Sequence, residues 1–90
     1  MISVSVIIPY FKKRDFIEKT INSIKSQTHK NLEIIIVFDD NDLSDLKFIK
    51  KIQKSDRRIK LVVNKKQLGA GFSRNRGIKY SRSNYVAFID

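Results

Sequence analysis

The 90-residue chain has no cysteine and no tryptophan, one proline, one histidine and three glycines. Without cysteine, neither a disulfide nor a thiolate metal site can support the fold, which suits a reducing compartment. No apolar run approaches the ~20 residues needed to cross a bilayer. The opening MISVSVIIPY lacks the basic n-region and small-residue cleavage site of a signal peptide and reads as a strand. Repeats, low-complexity stretches and interdomain linkers are also missing. Ninety residues make one domain at most, residues 1–90, with a high surface-to-volume ratio.

Acidic residues are scarce: nine Asp and Glu face 19 Lys and Arg, for a formal net charge of +10. This balance favours anionic partners such as nucleic acid, acidic membrane or phosphorylated ligands. The bases are scattered along the chain and read as a lysine-rich solvated surface. The acids are not scattered. Four of the nine are Asp39, Asp40, Asp42 and Asp45.

Those acids follow residues 32–38, LEIIIVF, apolar except at Glu33. Such a run, rich in Ile and Val, suits a strand buried on both faces and therefore a parallel sheet covered by helices. Ligands of such sheets bind beyond the carboxyl ends of the strands, where Asp39 and Asp40 fall. A polar turn into the next helix is the competing reading of the same acids.

The rest of the chain alternates. Residues 3–8 (SVSVII) form a β-branched strand that Pro9 is expected to end, because it lacks a donor. In residues 15–27, Ile17, Ile21 and Ile24 recur at i, i+4, i+7, one face of a helix. Residues 28–31 form a turn. A second helix follows, with Ser44 as its N-cap and an inner stripe of Leu46, Ile49 and Ile52 or Gln53. Residues 59–63 (IKLVV) are a third strand. A third helix runs from Gly69 to about residue 81, with Phe72, Asn75 and Ile78 on one face and Gly77 permitting close approach to the sheet. Residues 85–89 (YVAFI), apolar on both faces, form a fourth strand ending at Asp90. Tyr80 and Tyr85 are expected to pack, and Asp42 and Asp45 to cap or face solvent. The order βαβαβαβ implies an α/β, Rossmann-like layered fold with right-handed crossovers.

If the strands are parallel, Pro9, Tyr10, Asp39, Asp40 and Asp90 lie on one rim. The Gly69 helix start, whose free N–H groups suit phosphate, lies there too. Arg74 or Arg76 could add a guanidinium fork. Strand-end carboxylates can accept from ribose or base N–H groups or hold Mg²⁺ or Mn²⁺. Together these features read as a nucleoside diphosphate site. GAGFSRNRG is not a dinucleotide fingerprint: its spacing is wrong and it follows the third strand, not the first.

Five ordered segments make a resemblance specific: VSVIIPY, FIEKTINSIKSQT, NLEIIIVFDD, NKKQLGAGFSRNRGIKYS and NYVAFID. In order and spacing the chain resembles the amino-terminal half of a family 2 glycosyltransferase, the inverting group with a GT-A fold. The resemblance implies a three-layer, mostly parallel sandwich, here truncated. It places Pro9 and Tyr10 beside the nucleotide base, Asp39 (or Asp40, one place on) in contact with it, and Arg74 near the donor phosphates. Asn75 and Gly77 match the helix partners of Arg74. Asp90 matches the first Asp of the metal-binding Asp-X-Asp motif. Phe11 stands where the family often has Asn, and Asp40, Asn41 and Asp42 stand where it has Gly-Ser.

The expected function is transfer of a sugar, with inversion, from a nucleotide-diphosphate sugar, most simply a UDP-sugar, to a saccharide or lipid-linked acceptor. Mn²⁺ or Mg²⁺ would serve the full-length enzyme. The acceptor site and general base would lie beyond this fragment, so no catalytic residue is expected within it. Polysaccharide and cell-envelope synthesis, a cytoplasmic location at the inner face of the membrane and self-association through the uncovered fourth strand complete the expectation. The alternative is a basic nucleic-acid-binding module, which the charge favours. It lacks a recognition motif and aromatic interleaving, so nucleic acid is not the expected partner.

Overall fold

The structure is a computed structural model that describes residues 4–27 and 31–89. The chain order is β1 (Val4–Tyr10), α1 (Arg14–Lys25), β2 (Leu32–Phe38), α2 (Leu43–Lys54), β3 (Ile59–Val63), α3 (Ala70–Tyr80) and β4 (Val86–Phe88). The four strands form one sheet in the order β3-β2-β1-β4, and every pairing is parallel. The expected α/β alternation is therefore present, with β1 and β2 in the centre. The turn expected at residues 28–31 falls mostly outside the described residues, as does Asp90.

Period-2 alternation along the strands divides the core between two faces. On one face Ile8, Ile34 and Ile36 pack against Ile17 and Ile21 of α1 and Ile49 of α2, all essentially inaccessible. Each such isoleucine contributes about 1.5–3 kcal/mol by leaving water. The opposite face, built on Ile7, Ile35, Val37 and Val62, lies under α3. β2 is buried at all seven positions, as its near-continuous apolar run requires.

α3 meets the sheet through small residues. Its buried positions are Ser73 and Gly77, one helical turn apart, while Phe72 and Ile78 stay about half exposed and Asn75 is exposed. The expected Phe72–Asn75–Ile78 inner face is thus corrected. The helix sits so close that a Cβ on Gly77 would lie 2.5 Å from Ile7 Cγ2. That proximity selects small side chains over apolar ones, as the expectation for Gly77 held. Tyr80 and Tyr85, expected to pack, are 51% and 73% exposed.

Several boundaries also differ: β4 covers Val86–Phe88 rather than 85–89, and α1 covers Arg14–Lys25 rather than 15–27. β1 continues through Pro9 to Tyr10, in register with Val37 and Phe38. Ser5 donates to Tyr85 O and Ile7 accepts from Ile89 N, so odd residues of β1 point their backbone groups at β4. The nitrogen of Pro9 therefore faces the β4 side, beyond the last pairing of Ile7 with Phe88, and β2 loses no bond. The N-cap of α2 is Asp42, not Ser44: Asp42 Oδ1 accepts from Asp45 N at 3.0 Å.

At the amino end of the sheet the α3 face holds a buried charge. Glu33 is 1% exposed, and its Oε2 accepts from Ser5 Oγ at 2.6 Å and from Arg82 N at 2.5 Å. Oε1 receives no aligned hydrogen bond; its compensation is the Lys60 ammonium 2.7 Å away. Burial alone would raise the pKa of this carboxyl. The Lys60, Ser5 and Arg82 contacts outweigh it, and the net shift is downward.

Candidate functional site

At the carboxyl ends of β1 and β2, beside the start of α3, lies a cleft of about 270 Å³. Pro9, Phe11, Lys13, Asp39, Gly69 and Arg74 are among its walls. The fold puts it there because parallel strands aim every β→α loop at the same rim.

Asp39 is the first residue past β2 and only 3% exposed. Its Oδ1 accepts from Asn64 Nδ2 at 2.8 Å and from Leu68 N at 2.6 Å, and its Oδ2 accepts from Gly69 N at 2.8 Å. One carboxylate thus ties the end of β2 to the end of β3 and to the start of α3. Gly69 has φ 94°, a left-handed conformation costly for any residue with a Cβ. It brings the chain out of the Asp39 contact and into the helix. The N–H groups of Ala70 to Phe72, in the first turn, have no carbonyl partner within the helix and give that end positive potential. Arg74 lies on the same helix and lines the cleft, half-buried.

Behind Asp39 the polar chain continues. Asn64 is 4% and Ser73 0% exposed. Asn64 Nδ2 also donates to Ser73 Oγ at 3.0 Å, and Asn64 Oδ1 accepts from Arg76 Nη1 at 2.5 Å. The Arg76 guanidinium lies 5.9 Å from the Tyr80 ring centroid.

The phenol of Tyr10 turns away from the cleft. It stacks on Phe38 with ring centroids 5.3 Å apart, has no exposed surface, and donates to Asp45 Oδ2 at 2.7 Å. Burial, followed by the hydrogen bond to Asp45, raises its pKa well above the usual phenol value. Asp45, expected at the surface, is buried and also accepts from Arg14 Nη1 at 3.3 Å. The Arg14 guanidinium packs over Phe48, 4.4 Å from the ring centroid. These contacts fasten the β1–α1 loop to the first turn of α2, so Tyr10 supports the cleft wall from behind.

Asp40 is occupied differently. It accepts from Lys12 N at 2.9 Å, where Lys12 has φ 52°, and from Asn41 N at 2.7 Å. It closes the turn and holds the neighbouring loop, and it is not among the cleft walls. Of the expected site residues, Pro9, Tyr10, Asp39 and Arg74 meet at one cleft. Asp40 stands beside it, and Asp90 lies outside the described residues. Asn64, Ser73 and Arg76 went unread as a unit in the sequence. Their only signal was a polar residue at the end of β3 and a small residue facing inward from α3.

Such a cleft can take a ligand that donates a hydrogen bond to a carboxylate and carries anionic charge toward a helix start. A divalent ion is a separate matter. Among the described residues no three His, Asp or Glu side chains converge to hold one. No helix of the described residues is long and apolar enough to cross a membrane.

Comparison with known proteins agrees with the geometry. The family model described as "Glycosyl transferase family 2" matches residues 5–90. The chain is 37% identical over 87 residues to the Escherichia coli UDP-Glc:alpha-D-GlcNAc-diphosphoundecaprenol beta-1,3-glucosyltransferase WfgD, covering 97% of this chain and 34% of that protein. Residues 1–349 of S. aureus TarS in complex with UDP-GlcNAc superpose with a TM-score of 0.86 at 25% identity, over 99% of this chain and 26% of that one. The Pyrobaculum calidifontis mannosyltransferase PcManGT, in complex with GDP-Man and Mn²⁺, shares the fold with a TM-score of 0.83 at 18% identity, over 92% of this chain and 25% of that one. The chain thus spans about a third of the curated relative. The parallel α/β sheet is that of the GT-A neighbours, and by the family match the chain belongs to glycosyl transferase family 2.

Proposed function

We propose that the cleft binds the nucleoside diphosphate of a sugar donor, a UDP-sugar, and that the chain is the donor-binding part of an inverting glycosyltransferase. The supporting observation is the convergence of Asp39, the Gly69 start of α3 and Arg74 on one rim. In this reading Asp39 accepts from the base, Pro9 flanks it, and Asp40 holds the adjoining loop in shape. The first-turn N–H groups of α3 and Arg74 face the diphosphate. The bond between anomeric carbon and diphosphate oxygen breaks as an acceptor hydroxyl attacks from the opposite face. Charge then builds on the departing diphosphate, where Arg74 and the helix start stabilise it. The acceptor's proton goes to a carboxylate acting as general base.

Asp90 would be one ligand of Mn²⁺ or Mg²⁺, which would supply positive charge for the departing diphosphate. The described residues do not by themselves form a metal site. The acceptor is a saccharide or lipid-linked sugar, the role cell-envelope polysaccharide synthesis, and the location the cytoplasm at the inner face of the membrane. WfgD, whose name specifies a diphosphoundecaprenol acceptor, supports this reading. β4 is a short edge strand with Phe88 45% exposed, and the 90-residue chain self-associates through it. Sedimentation of a clean monomer at high concentration would remove that last element.

Calorimetric titration of the chain with UDP, with and without Mn²⁺, tests the main reading. Saturable UDP binding is expected, weakened by Arg74→Met. A folded sample that gives no heat with any nucleoside diphosphate would refute it.

A further inference from the structure

Asp39 is already partly occupied by its own chain. A carboxylate offers about four acceptor positions, two on each oxygen. Asn64 Nδ2 and Leu68 N fill both positions on Oδ1, and Gly69 N fills one on Oδ2. Among the described residues this leaves one acceptor position, on Oδ2, for a ligand.

The residue that completes Oδ1 is itself clamped. An Asn amide can present either end to a neighbour, and only the NH₂ end can donate to Asp39. Arg76 Nη1 on Asn64 Oδ1 at 2.5 Å fixes that choice, because a guanidinium has no acceptor and must take the oxygen end. Ser73 Oγ, 0% exposed, receives the second Nδ2 proton. All three hydrogen-bonding positions of the amide used here are filled in one sense only. Arg76 touches neither the cleft nor Asp39, so whatever it does there passes through Asn64.

Bases differ in what they would present to this acceptor. Uracil carries one ring N–H on its pairing edge. Guanine carries a ring N–H and an adjacent exocyclic amine, two donors side by side that suit a carboxylate with both oxygens open. We propose that Asn64, held in orientation by Arg76, sets base specificity by saturating Asp39 Oδ1, so that Asp39 reads one donor and disfavours two. This rests on the cleft being the nucleotide site proposed above. Asn64 and Arg76 are positioning residues for Asp39.

The ratio of UDP to GDP affinity, measured by calorimetry on the 90-residue chain, tests the proposal. In the unaltered chain UDP binds about tenfold tighter than GDP, the scale set by one buried donor left unsatisfied. Arg76→Met narrows this ratio at least about threefold, Arg76→Lys restores most of it, and Asn64→Ala brings it toward one, because an Asp39 carboxylate released from Asn64 can turn to offer both oxygens to the base. Loss of UDP and GDP affinity in equal proportion, or an unchanged ratio in Arg76→Met, would overturn the specificity role while leaving nucleotide binding intact. An unaltered chain that binds neither nucleotide would overturn both readings. If Asn64→Ala does not fold, the half-exposed Arg76 pair decides alone.

Discussion

Gly77→Ala places one methyl group in the tightest contact between α3 and the sheet. The new Cβ would sit 2.5 Å from Ile7 Cγ2, with Ile7 Cδ1 at 3.1 Å and Cγ1 at 3.2 Å behind it. Cγ2 hangs directly from a β-branched carbon, so it cannot swing aside as the tip of a lysine would. Ile7 is 0% exposed, in an interior where side chains pack at near-crystalline density. Ordinary contact begins near 3.4 Å, so helix and strand must separate by about 1 Å locally. Overpacking of this kind costs about 1–3 kcal/mol, and alanine returns up to about 1 kcal/mol of helix propensity. The net expectation is a loss of about 1–2 kcal/mol. For a domain of this size that lowers Tm by roughly 4–16 °C. Gly71→Ala is the matched control: it lies on the same helix, and its Cβ would meet nothing within 4 Å. Equilibrium urea unfolding of both variants compares them directly. Gly71→Ala should be neutral or stabilising and Gly77→Ala destabilising. Because Gly69, Ala70 and Arg74 ride on α3, UDP affinity should fall with Gly77→Ala as well. Equal stability of the two variants would refute the close-packing account of α3.

Other expectations are briefer. Tyr10→Phe removes the bond to Asp45 and should cost about 1–2 kcal/mol in urea unfolding with UDP affinity unchanged; a large affinity loss would return the phenol to the binding surface. Glu33 titrates below its usual 4.5 when folded, so its contribution is present above that pH and lost as pH falls through the folded value. Asp56, held down to about 2 by Arg58, adds a loss in the same direction. Stability should therefore decline as pH drops below about 4.5, and Glu33→Gln should flatten the upper part of that decline in a pH series of thermal melts. Arg74→Met should weaken UDP binding by about tenfold with a Tm change of only a few degrees, an outcome read by calorimetry and melting together.

How much could be read beforehand depended on the range of the interaction. β2 and the Ile17–Ile21–Ile24 stripe were legible because burial imprints a period on consecutive residues, and both stand where expected. The α2 cap was misplaced by two positions because Asp42 and Ser44 are both good caps, and the end of the Asp39–Asp40 turn decides between them. The inner face of α3 was misread because apolar spacing favoured Phe72 and Ile78, whereas a helix pressed onto a strand is chosen for smallness. Asp39 was legible as a strand-end acid at the rim. Its partners Asn64 and Gly69 were not, being 25 and 30 positions away, where no local pattern reaches. Tyr10 was expected beside the base, but a tyrosine after a strand can turn to either the cleft or the core. Phe38 and Asp45, which draw it inward, belong to other elements.

Pro9 carries a last consequence. Continuing the β1–β4 ladder upward, the next rung would need a proton on Pro9 nitrogen, pointed at the carbonyl of Ile89. An imino acid has none, so these two strands cannot zip any further and the sheet is left unlaced at its upper seam. The chain reverses its direction of strand addition across this same seam, β2 and β3 going to one side of β1 and β4 to the other. A missing hydrogen atom thus ends the β1–β4 ladder at the residue that also forms part of the cleft wall.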